Sequence, residues 1–150
     1  MFERILVPVD GSATSRRGLD EAIAMARLTG ARIRLFHAFD PPLLAAGGEA
    51  ALMRGEDIFE IARGVGRQVL AEAAARVKAA GVAVDKQLQE PGSQRLCEQV
   101  AEAATAWKAS LIVVGSHGRR GLSRMVLGSD AEQILRTAPV PVLLVRDSGA

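Results

Sequence analysis

Two short stretches of this chain carry residue types and spacings that could do chemistry. The first is Gly115-Ser116-His117-Gly118, then nine residues from Arg119 to Leu127, then Gly128-Ser129. Glycine has no side chain, so backbone N–H groups there can come close to an anion. A helix start adds unpaired donors and the positive end of its dipole. The chemistry this favours is the holding of a phosphate. The second stretch is Asp10-Gly11-Ser12, whose carboxylate can accept hydrogen bonds from ribose hydroxyls.

Competing phosphate sites fit poorly. No segment supplies the G-x-x-x-x-G-K-[ST] of a Walker loop, and Asp10-Gly11-Ser12 stands where a dinucleotide fold needs G-x-G-x-x-G. Asp40, after the second apolar run, stands where such a fold places its ribose acid, but without the glycines it does not carry that reading. Ser116 and His117 are adjacent, whereas a hydrolase needs a G-x-S-x-G elbow and separated partners, so no catalytic residue is assigned. A G-x-x-G loop also clamps RNA in KH modules, but there it joins two helices, and here an apolar strand precedes it. Two histidines and one cysteine show no metal-ligand spacing, so no metal residue is assigned either.

The elements that must position these stretches alternate in type. Ile5–Val9 is a continuous apolar run, as in a strand buried on both faces, with Pro8 at its end where the hydrogen-bond ladder runs out. Ser12 or Ser15 caps a helix with the stripe Leu19, Ala22, Ile23 and Ala26, and Gly30 ends it. Ile33 to Ala38 is the second strand, stopped at Asp40-Pro41-Pro42. From Pro41 to about Gly55 no helical stripe is visible; such a segment is either a ligand-covering loop or a tolerated surface insertion.

Ile58, Ile61, Val65, Val69, Ala73 and Val77 predict a long second helix ending at Gly81, interrupted by Gly64 and Gly66 at a cost in propensity. Val82–Val84 with Leu88 is strand three. Ser93 is the expected cap of a third helix, with Leu96, Val100 and Ala103 inward. Leu111–Val114 is strand four, Ser129 opens a fourth helix to Thr137, and Val140–Val145 is strand five.

This β-α alternation implies a single α/β domain over residues 1–150, an open five-stranded parallel sheet with helices on both faces. Ligands of such sheets bind beyond the carboxyl ends of the strands, where the winding reverses. With the strand order 3-2-1-4-5, Asp10 and Gly115 become neighbours across that crevice. Composition agrees: aromatics are 3% of the residues, as suits a parallel sheet between helices, and the formal charge of +2 does not argue for nucleic acid. A lone Cys97 favours a reducing, cytoplasmic setting, and no apolar run approaches the about 18 residues of a membrane helix or forms a signal peptide.

Over its whole length the chain resembles the universal stress protein family. The resemblance rests on G-x-x-G, nine residues and G-[ST], met by Gly115, Gly118, Gly128 and Ser129, with Val7–Ser12 and Val140–Val142 matching the two terminal motifs. It implies a Rossmann-like, adenine nucleotide alpha hydrolase-like fold, a homodimer through strand five, and ATP or AMP as ligand, with or without Mg²⁺. Carried over by motif, Pro8, Val9 and Asp10 border the adenosine and Ala38 meets adenine through its backbone. Gly115 lies against the ribose, while Gly118, Gly128 and Ser129 hold phosphates. The implied role is a nucleotide-binding stress-response regulator; a nucleotide-independent dimeric interaction protein and a slow ATP hydrolase are the alternatives.

Several residues admit a plainer reading. Arg119, Arg120 and Arg124 either screen the ligand or solvate an exposed segment, and only Arg119 is assigned to phosphate. Asp130 departs from the family pattern, in which a small or apolar residue is common; it either favours the helix start or, turned inward, repels a triphosphate. His117 is a loop or ligand contact, His37 a satisfied histidine near a strand end, Cys97 a packing residue and Trp107 an edge-of-core residue.

Overall fold

The computed structural model describes residues 1–39, 55–117 and 127–146. Ile5, Leu6 and Val7 of β1 (Arg4–Pro8) are all fully buried, as the unbroken apolar run requires of a central strand. On one side β1 pairs in parallel with β2 (Arg32–His37), from Arg4 opposite Arg32 to Pro8 opposite Phe36. On its other side Ile5 and Leu6 lie opposite Leu111 and Ile112 of β4 (Leu111–Gly115). With β3 (Val84–Leu88) beyond β2 and β5 (Val142–Val145) beyond β4, the sheet is five-stranded, parallel and ordered β3-β2-β1-β4-β5. That is the order the two ligand stretches need in order to meet.

Strand side chains alternate between two faces, and each face has its own core. Ile5, Val7, Ile33, Leu35, Leu111 and Val113 pack under α1 (Ala13–Thr29) and α2 (Gly55–Ala79). Leu6, Phe36, Ile112 and Val114 pack under α3 (Leu96–Trp107) and α4 (Ser129–Thr137). Cys97 is buried in this second core, the packing role its sequence context predicts.

Local signals set most helix ends. Ser12 caps α1, its Oγ accepting from the Ser15 N–H at 3.1 Å, and Gly30 closes the helix in the left-handed region at φ 74°. The third helix starts later than Ser93 suggests. Its N-cap is Arg95, whose backbone N–H donates to the Glu98 carboxylate at 3.2 Å while the guanidinium donates to the same group. The side-chain hydrogen bond from Arg95 holds the Glu98 carboxyl below the ordinary carboxylate range. Glu98, the third helical residue, thus accepts the N-cap N–H as in one half of a capping box, while the donor-only guanidinium accepts no first-turn N–H.

The second helix differs more. Ala62, Leu70, Ala73, Ala74 and Val77 are buried, whereas Ile61 is 51% exposed. The stripe through Ile61 and Val65 lies one position off the seam in its first half, because the seam there is made of small residues. Gly66 is the reason: a Cβ on it would stand 2.8 Å from His37 Cδ2 and 2.7 Å from Leu88 Cδ1. Helix α2 crosses the ends of β2 and β3 so closely that only hydrogen fits.

The open side of the β2–β3 edge is held by charge over an aromatic ring. Arg34 Nε donates to Asp85 Oδ1 at 2.5 Å, and its guanidinium carbon lies 4.8 Å from the centre of the Trp107 ring. Arg4 donates to the Trp107 carbonyl at 2.8 Å. Trp107 is 8% exposed, the edge-of-core position expected of it.

Candidate functional site

The carboxyl ends of β1, β2 and β4 form one wall of a cleft, and α3 and α4 supply the other. Pro8, Val9 and Asp10 come from the end of β1, Ala38 from the end of β2, and Val114, Gly115 and His117 from the end of β4; Leu96, Asp130 and Ile134 face them. Its volume is about 80 Å³, below the roughly 300 Å³ at which enclosed small-molecule pockets begin, so a nucleotide would sit partly outside these walls. Of the residues assigned to a ligand, Pro8, Val9, Asp10, Ala38 and Gly115 meet here. Gly128 and Ser129 open α4 beside it. Gly118, Arg119, Asp40 and the segment from Pro41 to Arg54 lie outside the described residues.

The Asp10 turn is strongly fixed. Asp10 Oδ1 accepts the Ser12 N–H at 2.8 Å, and the Asp10 N–H donates to Ser15 Oγ at 3.2 Å. One carboxylate oxygen thus shapes the turn into α1 and sets the direction of the other. The preceding residue is held from behind. Its N–H donates to the Phe36 carbonyl at 2.8 Å, and the Val9 carbonyl accepts from His37 Nδ1 at 2.8 Å. A carbonyl can only accept, so His37 carries its proton on Nδ1 in this contact. His37 is 6% exposed and stabilises the wall from beneath, as a satisfied histidine.

Gly115 is glycine for a reason the motif does not reveal. A Cβ there would meet Thr14 Cγ2 and the Thr14 carbonyl oxygen, each at 2.8 Å. The direction a side chain would take is filled by the first turn of α1. Gly128 has a comparable constraint: its N–H donates to the Ser116 carbonyl at 2.8 Å, and a Cβ would lie 2.9 Å from that same oxygen. This hydrogen bond staples the start of α4 to the end of β4. Further into α4, first-turn N–H groups have no partner within the helix and remain available to an anion.

Two features of the cleft were weakly marked in the sequence. His117 Nδ1 is buried and meets no hydrogen-bond partner among the described residues. Leu96 and Ile134 supply apolar surface opposite Ala38, and nothing but helical periodicity marks them. Among the described residues, no group of three or more His, Cys, Asp or Glu could hold a metal ion, and no helix is long and apolar enough to cross a membrane.

Comparison with known proteins agrees with this geometry. The model of the universal stress protein family matches residues 1–146. The Thermus aquaticus universal stress protein in the QAH/OAS sulfhydrylase 3′ region is 34% identical over 149 residues, covering 97% of this chain and 100% of its own. Among solved structures, a universal stress protein family member from Burkholderia pseudomallei is 33% identical, with TM-score 0.73 over 97% of each chain. A universal stress protein in complex with cAMP is 26% identical, with TM-score 0.68 over 98% of this chain and 99% of the other.

Proposed function

The chain belongs to the universal stress protein family, and we propose that it binds an adenine nucleotide in the cleft beyond β1 and β4. The observation that carries this reading is the convergence of Pro8, Val9, Asp10, Ala38 and Gly115, from three separate strand ends, on one cleft beside the start of α4. The structural relative that holds cAMP supports it. In this reading the backbone at Ala38 faces the base and the Asp10 carboxylate accepts from the ribose. Gly118, Arg119 and Ser129 complete the phosphate end, AMP and ATP are the ligands, and Mg²⁺ enters with the phosphates.

The role that follows is a cytoplasmic stress-response regulator that holds its ligand instead of turning it over rapidly. Nothing in the cleft pairs a nucleophile with a base among the described residues. Calorimetric titration with AMP and ATP, with and without Mg²⁺, tests the reading. Saturable binding is expected, and no heat at millimolar nucleotide would overturn it. A second reading rests on β5, the outer strand of the sheet, where Val142, Leu143 and Leu144 are only half-buried. Such an edge favours a two-fold homodimer through strand five, which light scattering of purified protein would reveal.

A further inference from the structure

Two groups in the cleft make no side-chain hydrogen bond among the described residues. His117 Nδ1 is buried without a partner among the described residues, although a buried ring nitrogen normally finds one. Asp130 lines the same cleft from the first turn of α4, is exposed, and makes no side-chain hydrogen bond or ion pair among the described residues. Both lie at the β4–α4 end, where the Gly128–Ser116 hydrogen bond draws strand and helix together; Ala38 marks the opposite, β2 end. None of the described lining residues is a lysine or arginine.

Among the described residues, that end sets one ring nitrogen and the first-turn N–H groups of α4 against one carboxylate. One ring nitrogen can donate a single hydrogen bond to a phosphate oxygen, while a carboxylate beside it repels every further negative charge. We propose that His117 and Asp130 together read ligand charge, His117 Nδ1 contacting one phosphate and Asp130 disfavouring additional ones, so that the cleft selects a nucleoside monophosphate over a triphosphate. This inference rests on the adenine-nucleotide reading and assigns a specificity to it.

The test compares adenosine, AMP and ATP, by calorimetry in Mg²⁺-free buffer, on the wild type, Asp130→Asn and His117→Ala, with circular dichroism to verify folding. The wild type should bind AMP more tightly than ATP. Asp130→Asn should tighten ATP by about three- to tenfold, AMP by less, and leave adenosine unchanged, as removal of one unit charge near a surface requires. His117→Ala should weaken AMP by about tenfold, the worth of one hydrogen bond to a charged group, and again spare adenosine. ATP binding as well as AMP in the wild type, or an Asp130→Asn effect equal for all three ligands, would overturn the charge reading and leave nucleotide binding intact. An adenosine loss equal to the AMP loss in His117→Ala would show that the ring does not touch phosphate. No binding of any of the three would overturn both readings together.

Discussion

Gly18 of α1 and Gly115 of β4 face one another across the seam between helix and sheet: a Cβ on Gly18 would stand 3.4 Å from the Gly115 backbone nitrogen. The pair brings the first turns of α1 down onto the end of β4, and so brings the Asp10 turn to the glycine loop. A residue that a motif assigns to a ligand is here also a residue of the packing between helix and sheet.

Different penalties follow for the two glycines. Gly115→Ala drives a methyl group to 2.8 Å from the Thr14 carbonyl, which is backbone and cannot rotate away. We expect a loss of about 1–3 kcal/mol in urea denaturation, the range for overpacking a tight interior. Gly18→Ala meets its nearest neighbour at 3.4 Å, an ordinary contact, and gains helix propensity of up to about 1 kcal/mol, so it should be neutral to stabilising. Equal losses in both would show that the seam is not built on close approach at Gly115. Nucleotide affinity of Gly115→Ala needs correction for its unfolded fraction before any binding role is read from it.

The two interior glycines of α2 make a sharper contrast. Gly64 has nothing within 4 Å of its missing Cβ, so Gly64→Ala should stabilise the protein by about 0.5–1 kcal/mol through helix propensity alone. Gly66→Ala places a methyl group 2.8 Å from the ring of His37, which its hydrogen bond to Val9 keeps from swinging aside. We expect a loss of about 1–2 kcal/mol despite the better propensity. Melting temperatures that rise for one variant and fall for the other would verify both statements; a rise in both would show that His37 yields freely.

Most of the architecture was legible in the sequence, for a physical reason. Strands buried on both faces read as unbroken apolar runs, and Leu111–Val114 and Ile5–Val9 are such runs. The strand order was legible only through ligand logic, because Asp10 and Gly115 had to meet. What escaped was carried by residues with little side chain. The buried seam of α2 runs through Ala62 and Gly66, whereas the stripe of large apolar residues passes through the exposed Ile61. The Arg95 cap of α3 escaped because it depends on Glu98 three residues later, while Ser93 matched the cap pattern by type. In the cleft, the unpartnered nitrogen of His117 is a property of its surroundings and has no counterpart in residue spacing.

That α3 cap makes stability depend on acidity. The Glu98 carboxyl is held below its ordinary pKa first by the Arg95 side-chain hydrogen bond, then by the Arg95 backbone N–H. A carboxyl whose folded pKa is depressed stabilises the fold above its unfolded pKa, and that contribution disappears as pH falls through the folded value. The stability difference between wild type and Glu98→Gln should therefore shrink as pH falls below about 4. A gap that stays constant across that window would show that the charge of Glu98 does no work in the cap.

Gly128→Ala separates the shape of the phosphate end from its charge. The native φ of −60° suits alanine, so no backbone strain arises; the obstacle is the Ser116 carbonyl oxygen, 2.9 Å from the added carbon. Relief requires α4 to move outward, which stretches the Gly128–Ser116 hydrogen bond and shifts the first-turn donors away from the cleft. That hydrogen bond is worth about 1 kcal/mol to folding. Misplacing donors to a charged phosphate costs more, so AMP affinity should fall by about tenfold or more while adenosine falls less. The measurement is calorimetry with both ligands at a temperature where the variant is fully folded. An unchanged AMP affinity would show that the start of α4 does not hold phosphate, and would leave the phosphate end to residues beyond His117.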